Sequence, residues 1–149
     1  MNEHHATIRW KRTSAGFTYD TYNRAHEIAF KNGAVVLAAS SAPEFKGEEE
    51  RVNPEEAFVA ALSSCHMLTL LAICARKHLT VDAYEDSAVG FLDRGVNGKL
   101  WMGRVVLRPR IRFAGAVDAE TLTDLHHNAH ENCFIANSVT TTVTVEPQA

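Results

Sequence analysis

The sequence lacks an apolar segment near its start, a block of like charges and any internal repeat. Its first residues, MNEHHATIRWKR, contain no apolar core of the kind that a secretory signal needs. The longest apolar stretch is interrupted by Ser, His and Thr, and we expect it to be too short to cross a bilayer. These absences predict a cytoplasmic protein that does not enter a membrane.

The chain also has no large excess of charge of either sign. The net charge is −3, and basic residues are neither clustered nor interleaved with aromatic ones, which argues against nucleic-acid binding. The chain has 149 residues, of which 46% are hydrophobic and 22% charged, as in a soluble globular protein. This length and composition predict one domain over residues 1–149.

Only three cysteines are present, Cys65, Cys74 and Cys133. A small, odd number in a chain without a secretory signal argues against a structural disulfide framework. Inert core thiols, a metal site and redox chemistry remain as interpretations.

Turn signals divide the first third of the chain into short strands. Asn32-Gly33 is a strong hairpin signal, and the predicted strands cover residues 7–12, 17–22, 26–30 and 34–40.

A long helix is predicted to begin at Asn53-Pro54, because Asn is a good N-cap and Pro is favoured at the first helical position. The helix extends over about 54–78 and is apolar nearly all round. Such a helix is buried on most sides, either in a domain centre or at a subunit interface.

The rest of the chain alternates between strands and one further helix. Strands are predicted over 80–93, 99–113 and 138–146, and a helix over 117–133. Since the strands come in hairpin-like pairs, we expect an α+β fold with mostly antiparallel sheets around a long buried central helix.

Cys65 lies near the start of the run LSSCHMLTLLAIC, residues 62–74. A free cysteine on an apolar helix is usually core filling. A reactive one would need a nearby cation and, after oxidation to a sulfenic acid, a second thiol. Cys133 is the candidate for that thiol. Cys74 is about 13.5 Å further along the same helix, beyond the roughly 4.4–6.8 Å that separates the Cα atoms of a disulfide, and is interpreted as core.

A histidine cluster in HHNAHENC offers another interpretation. His126 and His130 have the i, i+4 spacing of metal ligands on one helix face, and Cys133 follows them. A zinc site would also need His66 or a carboxylate from elsewhere in the fold. The simpler interpretation, which we favour, is that these histidines and His127 lie on a solvated face.

Two segments together resemble the osmotically inducible protein C and organic hydroperoxide resistance (OsmC/Ohr) family. NPEEAFVAALSSCHML, residues 53–68, resembles the family's helix signature, in which a reactive cysteine follows Asn-Pro-Glu. ENCFIANSV, residues 131–139, resembles its second cysteine segment. The likeness covers essentially the whole chain and is nearer to the OsmC-like branch.

The resemblance implies a thiol peroxidase that reduces organic hydroperoxides and acts as an intertwined homodimer. It implies that Cys65 is the peroxidatic cysteine and Cys133 the resolving one, and it matches Glu55 to the family's active-site glutamate. Arg24 is our choice for the family's arginine, with Arg9 and Arg12 as alternatives. No cofactor is expected beyond an external dithiol reductant of the lipoyl type.

Four apolar residues are expected to line the substrate site and favour bulky organic peroxides, namely Phe58, Leu62, Met67 and Phe134. Glu55 would hold the arginine, which favours the thiolate and stabilises charge on the leaving oxygen. In an unbroken helix Glu55 lies about 15 Å along the axis from Cys65. Either the helix breaks near Ser63-Ser64, or Glu55 serves the other subunit, and we prefer the second.

Two other functions remain open at this point. One is a metal- or ligand-binding protein that uses His126, His130 and Cys133 and has little peroxidase activity. The other is a binding or thiol-transfer module with the same fold.

Overall fold

The computed structural model describes residues 1–149, which form eight β-strands and two α-helices. The strands are β1 Thr7–Arg9, β2 His26–Phe30, β3 Val35–Ala39, β4 Val81–Asp86, β5 Val89–Arg94, β6 Leu100–Leu107, β7 Pro109–Phe113 and β8 Thr142–Val145. The helices are α1 Pro54–Arg76 and α2 Ala119–Glu131. The chain divides into two units, Met1–Ala57 and Phe58–Ala149, which are described separately.

The first unit contains an antiparallel sheet in the order β1-β2-β3. The predicted hairpin joins β2 and β3, and Asn32 and Gly33 have φ of 53° and 90° at its turn. These left-handed conformations suit Asn and Gly, which explains why the dipeptide reverses the chain here.

The strand predicted over 17–22 is wrong, because this segment is a turn. The side chain of Thr21 accepts a hydrogen bond from Thr18 N at 2.9 Å, and Thr18 O accepts from Thr21 N at 3.1 Å. Threonine side chains that bond nearby backbone groups offer the chain an alternative to strand pairing. Alternation of aromatic and polar residues therefore does not suffice to make a strand.

Helix α1 begins as predicted. Asn53 Oδ1 accepts from Glu56 N at 2.8 Å, and Glu56 Oε2 accepts from Asn53 N at 3.0 Å, which is a reciprocal capping box. The helix continues without a break through Ser63-Ser64. The alternative of a break at these serines is therefore wrong.

Most of the surface of α1 is left uncovered by its own chain. The side chains that are buried recur every fourth residue, namely Leu62, His66, Leu70 and Cys74. Leu68 is 59% exposed. Of the two alternatives for burying this helix, a domain centre and a subunit interface, its own chain supplies the first along one side only. By length and composition α1 could cross a membrane, contrary to expectation, although core helices of non-membrane proteins meet the same criterion.

The second unit contains two small sheets. Strands β4 and β7 pair antiparallel, and so do β5 and β6. Strand β8 pairs parallel to β6, which is the one departure from the antiparallel arrangement. The predicted α+β class with mostly antiparallel sheets and two helices is confirmed.

Two apolar clusters hold the second unit together. One joins α1 to α2 through Leu70, Cys74, Leu125 and Ala129. The other joins α1 to β6 through Leu62, Val105 and Leu107. Helix α2 is capped by Asp118, whose Oδ1 accepts a hydrogen bond from Thr121 N at 2.8 Å.

A pair of imidazoles forms a further contact between α1 and α2. His66 Nε2 and His126 Nδ1 are 3.1 Å apart, and the ring planes lie within 3° of each other. Both side chains are buried, at 1% and 4% exposure. Burial lowers the pKa of His66 from 6.5 to about 4, with His126 and His130 acting in the same direction. The pair is therefore neutral at pH 7.

The folded protein should lose stability in mild acid because of His66. Since its pKa is lower in the folded state, the unfolded chain binds more protons below pH 6.5, and the free energy of unfolding falls from there towards pH 4. The shift corresponds to roughly 3 kcal/mol. Urea unfolding at pH 7.5, 6, 5 and 4 measures this loss, and His66→Gln should show a shallower decline. Identical pH profiles for the two proteins would contradict the assignment.

Candidate active site

Two cysteines that are far apart in sequence meet in the second unit. Cys65 lies on α1 and Cys133 in the turn that follows α2, and the two thiol groups are close enough for Cys65 to raise the pKa of Cys133. Neither is in a disulfide. The structure thus brings together the two residues to which the sequence analysis assigned redox chemistry.

The two thiols differ in access. Cys65 is half-buried, whereas Cys133 is 1% exposed. Burial raises the pKa of Cys133, and the contact with Cys65 raises it further, while hydrogen bonds from the backbone of Ala136 and Ile135 act in the opposite direction. Cys133 is therefore a neutral thiol at neutral pH. Only Cys65 offers its sulfur to a molecule arriving from outside.

Cys74 lies in the cluster between the two helices, and burial raises the pKa of its thiol. A buried neutral thiol is a poor nucleophile. The interpretation of Cys74 as a core residue agrees with this position.

The imidazoles beside the cysteine pair do not supply the cation that a thiolate needs. His66 follows Cys65 on α1, but its lowered pKa leaves it neutral. Burial also lowers the pKa of His126, although Asp86 opposes this effect.

Arg24 lies in the first unit and is 8% exposed. Its guanidinium donates to Tyr22 O at 2.8 Å and to Tyr19 O at 2.5 Å, and its Cζ lies 3.8 Å from the centre of the Tyr22 ring. Its Nε is buried without a partner. The guanidinium of Arg24 is thus held by hydrogen bonds to its own loop, and its Nε–H remains free to donate to another group.

Arg24 opens onto a cavity of about 630 Å³ in the same unit. Its other lining residues are mostly aromatic or small, namely Ile8, Trp10, Phe17, Tyr22, His26, Ser40, Ser41 and Pro54. An apolar cleft of this volume with few polar groups is typical of small-molecule sites.

The remaining candidates in the first unit are less enclosed. Arg9 and Arg12 are exposed, and Arg12 donates to Ser14 O in its own loop. Glu55 forms none of the ion pairs within the chain, and its Oε2 is buried without a partner. Among the three arginines, Arg24 is the buried one.

The predicted substrate-binding residues fall into different environments. Leu62 is 0% exposed and packs in the core, so it offers no surface to a ligand. Phe58 packs partly against the same cluster. Met67 is half-buried, and Phe134, beside Cys133, is 80% exposed. In this chain Leu62 is therefore a core residue, contrary to its expected place on the surface of the site.

The structure does not form the metal site that was the alternative interpretation of the histidines. No group of three or more His, Cys, Asp or Glu side chains is placed to hold a metal ion, so His126, His130 and Cys133 do not converge as ligands. His126 is buried against His66, not solvated as favoured from the sequence, whereas His127 is exposed.

Sequence reasoning missed several partly buried polar groups in the second unit. Ser63 Oγ donates to Asp86 Oδ2 at 2.5 Å, and the hydroxyl of Tyr84 is buried without a partner. The four-residue spacing of Leu62, His66 and Leu70 is a signal that could have placed His66 on the buried face.

Comparisons with known proteins identify the family of this chain. A family model described as OsmC-like protein matches residues 47–148. An OsmC-like protein of unknown function from Vibrio cholerae has 46% identity and a TM-score of 0.92, over 99% of this chain and 100% of that one. A search of curated proteins found no match.

Two more distant structures share the fold. An organic hydroperoxide resistance protein from Elizabethkingia anophelis is 20% identical with a TM-score of 0.73, over 99% of this chain and 98% of that one. The organic hydroperoxide resistance protein OhrB of Bacillus subtilis is 21% identical with a TM-score of 0.69, over 97% and 98%. Because the family model alone spans more than half of the sequence, this chain belongs to the OsmC-like protein family.

Proposed function

We propose that the protein is a thiol peroxidase that reduces organic hydroperoxides to alcohols through Cys65 and Cys133. The observation that carries the proposal is the contact between an accessible thiol and a buried one. Family members named for organic hydroperoxide resistance share the fold and supply the substrate class.

The first step would oxidise Cys65. Its thiolate attacks the terminal oxygen of the hydroperoxide, an S–O bond forms, the O–O bond breaks, and the alkoxide leaves and takes a proton to become the alcohol. Cys65 becomes a sulfenic acid, the first level of thiol oxidation.

The second step would use the neighbouring thiol. Cys133 attacks the sulfenic sulfur, an S–S bond forms, and the Cys133 proton leaves with the hydroxide as water. An external dithiol then reduces the disulfide by exchange and is itself oxidised. Because Cys133 already lies near Cys65, this step would need only an approach of one sulfur to the other.

The apolar residues beside the sulfur would choose the substrate. Phe134 is 80% exposed next to Cys133, and Met67 is half-buried two residues after Cys65. Such side chains stabilise a bulky alkyl or aryl group by burying it, a gain that hydrogen peroxide cannot offer.

The cation for the thiolate would come from Arg24 of a second protomer. Glu55 lies ten residues before Cys65 on an unbroken helix, about 15 Å along the axis, so it is too distant to serve that cysteine. Arg24 Nε and Glu55 Oε2 are both buried without partners, as expected of groups that find theirs in an assembly.

Exposed apolar surface supports a homodimer with shared active sites. Ile8, Val35 and Leu37 lie on one face of the first sheet at 61%, 48% and 37% exposure, and α1 exposes Leu68. A monomer rarely leaves an apolar sheet face of this kind open to water.

Replacing the cysteines should separate their roles. Cys65→Ser should lower kcat/KM for cumene hydroperoxide with dihydrolipoamide by at least about 1,000-fold, because no nucleophile remains. Cys133→Ser should still consume one equivalent of peroxide and then accumulate the sulfenic acid of Cys65. Coupled turnover assays and mass spectrometry measure both effects.

Cys74→Ala is the matched control, since this thiol is buried in the core and should not affect turnover. Retained activity in Cys65→Ser would refute the proposal.

A mixed dimer tests whether the site is shared. Arg24→Ala and Cys65→Ser homodimers should both be nearly inactive. A heterodimer of the two variants should recover about half of the wild-type activity, because one of its two sites combines an intact arginine with an intact cysteine. Co-expression with two affinity tags isolates the heterodimer for assay. An inactive heterodimer would show that each chain supplies its own arginine, whereas an active Arg24→Ala homodimer would show that Arg24 has no such role.

A further inference from the structure

The buried imidazole pair occupies a particular place relative to the cysteines. His66 directly follows Cys65 on α1, and His126 lies on α2, the helix that leads to Cys133. The Nε2 to Nδ1 hydrogen bond of 3.1 Å therefore ties together the two elements that carry the two sulfurs. The apolar cluster of Leu70, Cys74, Leu125 and Ala129 also joins the two helices, with Leu125 and Ala129 on either side of His126 along α2.

Two apolar side chains in place of His66 and His126 would avoid the cost of burying polar ring nitrogens. His66 Nδ1 and His126 Nε2 are both buried without a partner, which costs free energy. Leucine side chains can pack between two helices at many relative rotations of those helices. A hydrogen bond between two imidazole rings can form at only a few of these rotations. A buried polar pair can fix a single arrangement at some cost in stability.

We propose that the His66–His126 hydrogen bond positions α2 so that Cys133 meets Cys65, and that it thereby sets the dithiol–disulfide equilibrium of this pair. The inference rests on the proposed function in one respect, that Cys65 and Cys133 form a redox couple. Both histidines are positioning residues, since they act through the helices that carry the sulfurs.

The ring atoms involved determine which substitutions keep the bond. An asparagine places an amide atom where Nδ1 of histidine lies, and a glutamine places one where Nε2 lies, because the number of bonds from Cβ is the same. His66 uses Nε2, and His126 uses Nδ1. His66→Gln and His126→Asn should therefore preserve the hydrogen bond, while His66→Asn and His126→Gln should lose it.

The measurement is the equilibrium between the protein and a buffer of reduced and oxidised dithiothreitol, with the Cys65–Cys133 disulfide counted by mass spectrometry. No peroxide is needed. His66→Gln and His126→Asn should stay within about twofold of the wild-type equilibrium constant. His66→Asn and His126→Gln should weaken the disulfide at least about tenfold, which moves the reduction potential about 30 mV upward.

The exposed neighbour His127 provides a control, since His127→Asn and His127→Gln should both leave the equilibrium unchanged. Circular dichroism and thermal unfolding establish that each variant is folded. Loss of packing alone would not produce opposite preferences for Asn and Gln at the two positions.

Two results would overturn the proposal. If wild type and all four variants are folded and share one equilibrium constant, the hydrogen bond does not position Cys133, while the peroxidase proposal stands. If the wild type forms no Cys65–Cys133 disulfide in oxidising buffer, the positioning role and the proposed resolving step both fail.

Discussion

The contact between Cys65 and Cys133 is the interaction on which the account depends. It exists only because α2 docks on α1 and the chain turns directly after α2. The apolar cluster of Leu70, Cys74, Leu125 and Ala129 joins these two helices, and the His66–His126 hydrogen bond joins them as well. A hydrogen bond, unlike apolar packing, requires a particular orientation of the two side chains. The histidine hydrogen bond thus accompanies a larger hydrophobic contact between the helices whose docking sets the distance from Cys65 to Cys133 in the proposed reaction.

Helix α1 imposes the second constraint. It is apolar nearly all round, yet its own chain buries only Leu62, His66, Leu70 and Cys74. The same helix therefore presents one ridge to the core of its chain and leaves Leu68 and its neighbours for another surface. This division explains how one helix could carry both a reactive cysteine and a dimer interface. It also fits Glu55, which lies too far along the axis to serve the cysteine of its own helix.

Local signals predicted local features of this protein, but not its long-range contacts. The Asn53 cap, the Asn32-Gly33 hairpin and the start of α2 follow from side-chain chemistry within a few residues, and the structure has them. The pairing of His66 with His126 joins residues on different helices, which only the tertiary fold decides. The segment 17–22 failed because threonine hydrogen bonds made a turn where the alternating pattern favoured a strand.

The most direct measurement is a single-turnover oxidation of the reduced protein with one equivalent of an organic hydroperoxide, followed by peptide mass mapping of all three cysteines. The account predicts one equivalent of alcohol, a disulfide that joins Cys65 to Cys133, and an unmodified Cys74. Unreacted Cys65 after the peroxide is consumed, or a disulfide that involves Cys74, would contradict it.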